Sequence, residues 1–141
     1  MEMNELYTDI VKEYSISKHN QHNLADASIR VPGKNPSCGD EIELELKIDD
    51  GIVVDAAFTG IGCAISRASV TIMIDLIKGK TVAESKELAD IFLKMATRED
   101  VCETDLEKLE DAAALQGVSN MPARVKCATM PWHTLCRALE E

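Results

Sequence analysis

Residues Glu41 to Ile48 alternate without a break: Ile42, Leu44, Leu46 and Ile48 point one way, while Glu41, Glu43, Glu45 and Lys47 point the other. A period of two fits a β-strand with one buried and one wetted face. Asp49-Asp50-Gly51 follows, a tight-turn signal because Asp and Gly tolerate the left-handed backbone that a short hairpin needs. Ile52 to Phe58 then returns as the partner strand. A hairpin with one apolar face is marginal alone, so other parts of the chain must cover that face.

The remaining segments supply the cover. Asn4 to Ser15 carries Leu6, Ile10, Val11 and Tyr14 on one helical face. A polar stretch, Ser17 to Asn23, holds His19 and His22, both expected in solvent. Ala27 to Val31 reads as a short strand ended by Pro32-Gly33, and Lys34 to Asp40 as a turn. Gly60-Ile61-Gly62-Cys63 closes the hairpin and opens a helix, Ala64 to Lys78, that is apolar almost all round and therefore buried. Gly79 stops it. Thr81 and Glu84 form a capping box for the next helix, with Leu88, Ile91, Phe92 and Met95 inside. Thr104 and Glu107 suggest a second box, ahead of a helix that holds Leu106, Leu109 and Ala113 and ends at Gly117. The last helix places Trp132, Leu135, Cys136 and Leu139 on one stripe. With Pro131 in its first turn, it is expected to start near Ala128 to Met130. The order predicts an α+β fold: a small three-stranded antiparallel sheet with helices packed on one face. At 141 residues, the chain is expected to form a single domain, 1–141. Aromatic residues are only 4%, so the core must rest on aliphatic side chains.

Charge narrows the function classes. Fifteen Lys and Arg against 25 Asp and Glu give a net charge of −10. Such a chain is a poor binder of nucleic acid or of an anionic membrane and would suit a basic protein partner. No apolar run approaches the ~18 residues of a membrane span, and the N-terminus has no apolar signal core, so a cytoplasmic location is expected. The five cysteines would then be reduced: an odd count there points to packing or to metal and sulfur chemistry, not to a disulfide framework.

The cysteines divide by context. Cys38 lies in the turn between Ser37 and Gly39 with no apolar neighbours, and Asp40 follows two residues on. Cys63 opens the buried helix, where free N–H groups and the helix dipole lower a thiol pKa. Cys127 is expected just ahead of the last helix, near Arg124 and Lys126, whose charge would offset a thiolate. Cys136 sits on the apolar stripe and reads as core. Cys102, between Val101 and Glu103, has no assigned role, and His133 reads as an exposed helical residue. Three cysteines at turns or helix starts, with an aspartate, make a four-ligand set. Zinc takes thiolate at ~2.3 Å and carboxylate at ~2.0–2.2 Å in a tetrahedron. The spacing contains no CxxC pair, and by itself it does not choose between metal and sulfur chemistry.

Three stretches carry a resemblance: Asn35 to Asp40 (NPSCGD), Gly60 to Ser69 (GIGCAISRAS) and Leu115 to Thr129 (LQGVSNMPARVKCAT). In order, they resemble the three cysteine motifs of the IscU/NifU-like iron–sulfur scaffold superfamily. The long stretch between Cys63 and Cys127, with an extra helical segment near Ala96 to Ala114, is similar to the SufU-type branch, a zinc-dependent sulfurtransferase. That resemblance implies ligand loops clustered at one end of the fold. It implies Cys38, Asp40, Cys63 and Cys127 as zinc ligands, or ligands of iron or an Fe–S cluster in the scaffold alternative. It implies Cys38 as the acceptor of persulfide sulfur from a SufS-type cysteine desulfurase, with Arg124 placed to hold Asp40 or the persulfide. Downstream Fe–S assembly proteins or apo-acceptors would be the further partners. Whether the chain counts as an enzyme depends on the sulfurtransferase role. The Leu-Pro-Pro-Val-Lys motif of IscU-type scaffolds is absent; Met121-Pro122-Ala123-Arg124 stands there. A metal bound by three thiolates and a carboxylate would add to an acidic face that a basic desulfurase surface could recognise.

Overall fold

The alternating segment forms the centre of the sheet. The computed structural model describes residues 3–140, with side chains from residue 9 onward. β1 (Ile29–Asn35), β2 (Asp40–Asp49) and β3 (Ile52–Ile61) pair antiparallel in the order β1-β2-β3. Asp50 and Gly51 turn the β2–β3 hairpin with both residues left-handed, at φ 54° and 76°. Ile42, Leu44 and Leu46 are buried on the inner face, as the alternation requires.

Two departures concern the strands. β1 does not stop at Pro32-Gly33 but runs through them to Asn35, in register with Asp40. It is an edge strand, where a residue without an N–H is tolerated, and Arg137 donates to the Pro32 carbonyl at 2.6 Å. Glu45, expected on the wet face, is fully buried. Its Oε1 accepts from Arg30 Nε at 3.0 Å, opposite it in register, and from the Leu24 N–H at 3.3 Å. The connection after the first helix therefore covers part of the outer face. It is also pinned at His19, which contacts Asp75 at 3.0 Å, and at buried Asn20.

Five α-helices complete the described chain. α1 (Met3–Ile16) packs on α2 (Ala64–Ile77), which is buried along almost its whole length. Leu6, expected on the inner stripe of α1, lies outside the residues whose side chains are described. α3 (Val82–Ala96) begins with the expected Thr81–Glu84 capping box, both hydrogen bonds present. The second box does not form. α4 (Glu103–Lys108) starts two residues earlier, with Cys102 at its cap and Thr104 inside it. Glu110, at φ 51°, breaks it, and 3₁₀ turns from Glu110 to Asn120 follow, passing through Gly117. Tyr14 ties α1 to this segment through Asp111 at 2.6 Å.

α5 (Pro122–Leu139) corrects the largest expectation. It begins six residues ahead of Ala128, because Pro122 takes the first-turn position assigned to Pro131. Pro131 lies in the helix interior, and Cys127 is helical rather than a cap. A proline cannot donate to the carbonyl four residues back, and here that carbonyl belongs to Cys127. α5 packs on α3 through stacked Phe92 and Trp132, centroids 4.1 Å apart. It is locked to α2 by Trp132 Nε1 donating to Ser69 Oγ (2.9 Å), which donates to the Ala128 carbonyl (2.6 Å). It crosses β1 at Gly33, where a Cβ would come within 2.3 Å of Thr134 Oγ1. Among the described residues, no helix is long and apolar enough to cross a membrane.

The end of β3 is equally restricted. Gly60 has φ 125°, and a Cβ there would sit 2.2 Å from the Glu41 carbonyl oxygen. Gly60→Ala should cost on the order of 2–3 kcal/mol. Thermal unfolding should show a drop of several degrees; an unchanged midpoint would contradict this account of the strand end.

Candidate metal and sulfur site

Three connections meet at one end of the sheet. The β1–β2 turn, Pro36 to Gly39, carries Cys38, and its N–H donates to the Asn35 carbonyl at 3.2 Å. Asp40 opens β2, Cys63 caps α2, and Cys127 lies in the second turn of α5. The ligand atoms of Cys38, Asp40 and Cys127 all lie within 4.8 Å of one another. The Cys127 and Cys38 sulfurs are 3.0 Å apart. Cys63 stands beside this group, and its N–H donates to Asp40 Oδ1 at 2.9 Å. Cys63 Sγ also accepts from the Ser66 N–H at 3.5 Å, an N-cap contact.

Burial differs sharply among the members. Asp40 is 2% exposed and Cys127 0%, whereas Cys38 is open to solvent. Burial pushes the Cys127 thiol well above its ordinary range, reinforced by its contact with the Cys38 sulfur and the nearness of Cys63. Arg124 supplies the opposite charge. Its guanidinium lies near Cys127, Cys63 and Cys38, and interaction with Cys127 first, then with the other sulfurs, holds it more firmly protonated. Arg124 therefore faces the sulfurs.

Asn35 is a site residue to which the sequence reading gave no role. It is 4% exposed, and its Nδ2 donates to Asp40 Oδ2 at 3.1 Å and to Cys127 Sγ at 3.5 Å. One amide thus orients two ligand candidates from different elements. The available signal was its place beside the turn, which puts it opposite Asp40 once β1 extends to Asn35.

The other candidates lie elsewhere. Cys102 is exposed at the start of α4, and Cys136 is half-buried against the core, where burial raises its thiol. Lys126 and His133 line a separate cleft with Lys34 and Arg137. On that side Cys38 has basic neighbours, with Lys34 paired to Glu41 at 3.8 Å.

The donor set fits a soft or borderline metal. A zinc tetrahedron with ~2.3 Å bonds has sulfur–sulfur edges of ~3.8 Å, so the Cys38 and Cys127 sulfurs need separate by less than ~1 Å. Each Asp40 oxygen has one hydrogen-bond donor and keeps lone-pair capacity for a metal. Thiolates also suit iron–sulfur clusters.

A small α+β fold with three cysteines and an aspartate gathered at the loop end of a three-stranded sheet defines a thiolate metal- or sulfur-handling protein. The chain belongs to the NifU-like N terminal domain family, whose pattern matches residues 6–128. It is 41% identical to the iron-sulfur cluster assembly scaffold protein IscU of Thermotoga maritima, over 96% of this chain and 94% of that protein. It is 42% identical to the zinc-dependent sulfurtransferase SufU of Bacillus subtilis, over 92% of this chain and 86% of that one. The crystal structure of FiSufU from Fervidobacterium islandicum AW-1 superposes with a TM-score of 0.89 at 37% identity, covering 96% of this chain and 98% of that one.

Two outcomes test the geometry. Asn35→Ala should weaken zinc binding about 10- to 100-fold in chelator competition while the protein stays folded; unchanged affinity would remove Asn35 from the site. The metal-free protein should lose stability as pH rises past about 9, the ordinary value for this thiol. Above that pH the unfolded chain releases the Cys127 proton and the folded chain retains it. Denaturant titrations at pH 7 and 10 should show the loss, and Cys127→Ala should shrink it.

Proposed function

We propose that this chain is an iron–sulfur cluster assembly protein that works as a zinc-bound sulfur acceptor, with Cys38 receiving sulfur from a cysteine desulfurase. The observation that carries this reading is the asymmetry of the site: Cys38 is exposed on a turn, while Asp40 and Cys127 are buried behind it. Cys38, Asp40, Cys63 and Cys127 would hold the zinc, which supplies thiolate character at neutral pH. The SufU relative, named a zinc-dependent sulfurtransferase, supports the zinc and the transfer chemistry.

The transfer is a thiol–persulfide exchange. The Cys38 thiolate attacks the outer sulfur of a partner persulfide, the S–S bond breaks, and the partner cysteine leaves as thiolate while Cys38 becomes the persulfide. No net oxidation occurs. Arg124 keeps a guanidinium beside the sulfurs as charge moves onto them. The turn that carries Cys38 can present it outward without moving the buried members.

A second reading has the same ligands hold an assembling Fe–S cluster. The Thermotoga relative, named a scaffold, favours it, as does the thiolate-rich donor set. One pair of measurements separates the two. The first reading expects one zinc per freshly purified chain and stimulation of desulfurase turnover that Cys38→Ala abolishes; full stimulation by that variant would overturn it. The scaffold reading expects anaerobic reconstitution with iron and sulfide to give a cluster that transfers to an apo-protein.

A further inference from the structure

The cleft between β1 and α5 has a volume of about 290 Å³. Lys34, Lys126, His133 and Arg137 stand around it; no carboxylate lines it, although Lys34 is paired at its edge with Glu41 at 3.8 Å. In a chain with 25 acidic residues against 15 Lys and Arg, that local excess runs against the whole. Its origin is a helical stripe: Lys126, His133 and Arg137 are spaced i, i+7 and i+11 on α5, spanning ~16 Å along one side. Lys34 joins from β1. The cleft reaches the site on both flanks, since Ser37, beside Cys38, lines it, and Lys126 precedes Cys127.

The free groups in the cleft indicate what it can hold. Most of the neutral donors are already used: Thr129 donates to the Val125 carbonyl at 2.9 Å, Thr134 to the Met130 carbonyl at 2.8 Å, and Asn35 to Asp40, which leaves the Ser37 hydroxyl as a single neutral donor. Arg137 has an Nη2 committed to Pro32. A small ligand needs convergent, precisely placed donors, and the cavity is at the lower limit for such sites. What dominates is a row of exposed basic side chains, which steers and orients an oppositely charged surface.

We propose that this basic stripe docks an acidic patch on the protein that delivers sulfur to Cys38. The proposal rests on the sulfur-acceptor reading above. The net charge of −10 repels an acidic partner from most directions, and the stripe marks the side on which approach is favoured. That side carries the exposed Cys38 turn, so docking brings the partner's sulfur to it.

The test places two carboxylates on the stripe, Lys126→Glu with His133→Glu, both at exposed positions, in the full-length zinc-loaded chain. The expected result has two parts. The concentration giving half-maximal desulfurase stimulation rises about tenfold or more at low salt, while the saturated rate and the zinc content hold. Direct binding to the same desulfurase, followed by anisotropy of a labelled chain, weakens in parallel, and added salt weakens the wild type more than the variant. Equal half-saturation and equal binding for variant and wild type would overturn the proposal. So would wild-type binding that is absent or insensitive to salt. Calorimetric binding of inorganic phosphate to the wild type and not the variant, with desulfurase binding unchanged, would assign the cleft to a small anion instead. If the wild type binds through the stripe yet does not stimulate turnover, docking stands and the sulfur-acceptor reading fails.

Discussion

The Asp40 carboxylate joins the elements that make the site. One oxygen accepts from the Cys63 N–H at the start of α2, and the other from the Asn35 side chain at the end of β1. The residue itself opens β2 and is almost wholly buried. Two strands and a helix are therefore fixed relative to one another through one charged group. A buried carboxylate without donors would be costly, so the hydrogen bonds that position it are also what allow it to be there. Asn35 extends the same contact to Cys127 on α5, so all three connections converge through neighbouring polar groups.

The core beneath serves that convergence. With few aromatic residues available, Phe92 and Trp132 are stacked against each other, and the indole N–H reaches α5's own backbone through Ser69. This polar relay holds the helix at Ala128, one residue on from Cys127, and again at Trp132. The close approach of α5 to β1 at Gly33 fixes its other side. Cys127 is thus set by packing and hydrogen bonds on both flanks, whereas Cys38 depends on a short turn.

Much of this was legible in the sequence, and the failures share a cause. The alternation of Ile42 to Ile48, the Asp-Gly hairpin and the Thr81 box are local signals, and each forms. Glu45 also sits on the predicted face, but Arg30 and the Leu24 backbone bury it, a tertiary event that periodicity does not contain. Proline was read by local preference twice, and both readings failed. Pro32 continues a strand because β1 is an edge, and Pro131 sits inside α5 because Pro122 starts that helix. The site cysteines drew attention through their turns and glycines, while Asn35 acquires meaning only when the register places it opposite Asp40.

The difference in burial between Cys38 and Cys127 divides their chemistry. Desolvation keeps the Cys127 thiol protonated in the metal-free protein. It must lose that proton to act as a ligand, so metal binding there releases a proton and draws on Arg124 for compensating charge. Cys38, in contact with solvent, is open to a partner. A nucleophile that must leave its place and return is best carried by the exposed ligand, with the buried ones maintaining the site meanwhile. For the proposed sulfur transfer, the fold offers that division in advance: a turn for Cys38, and strand, helix cap and helix interior for Asp40, Cys63 and Cys127.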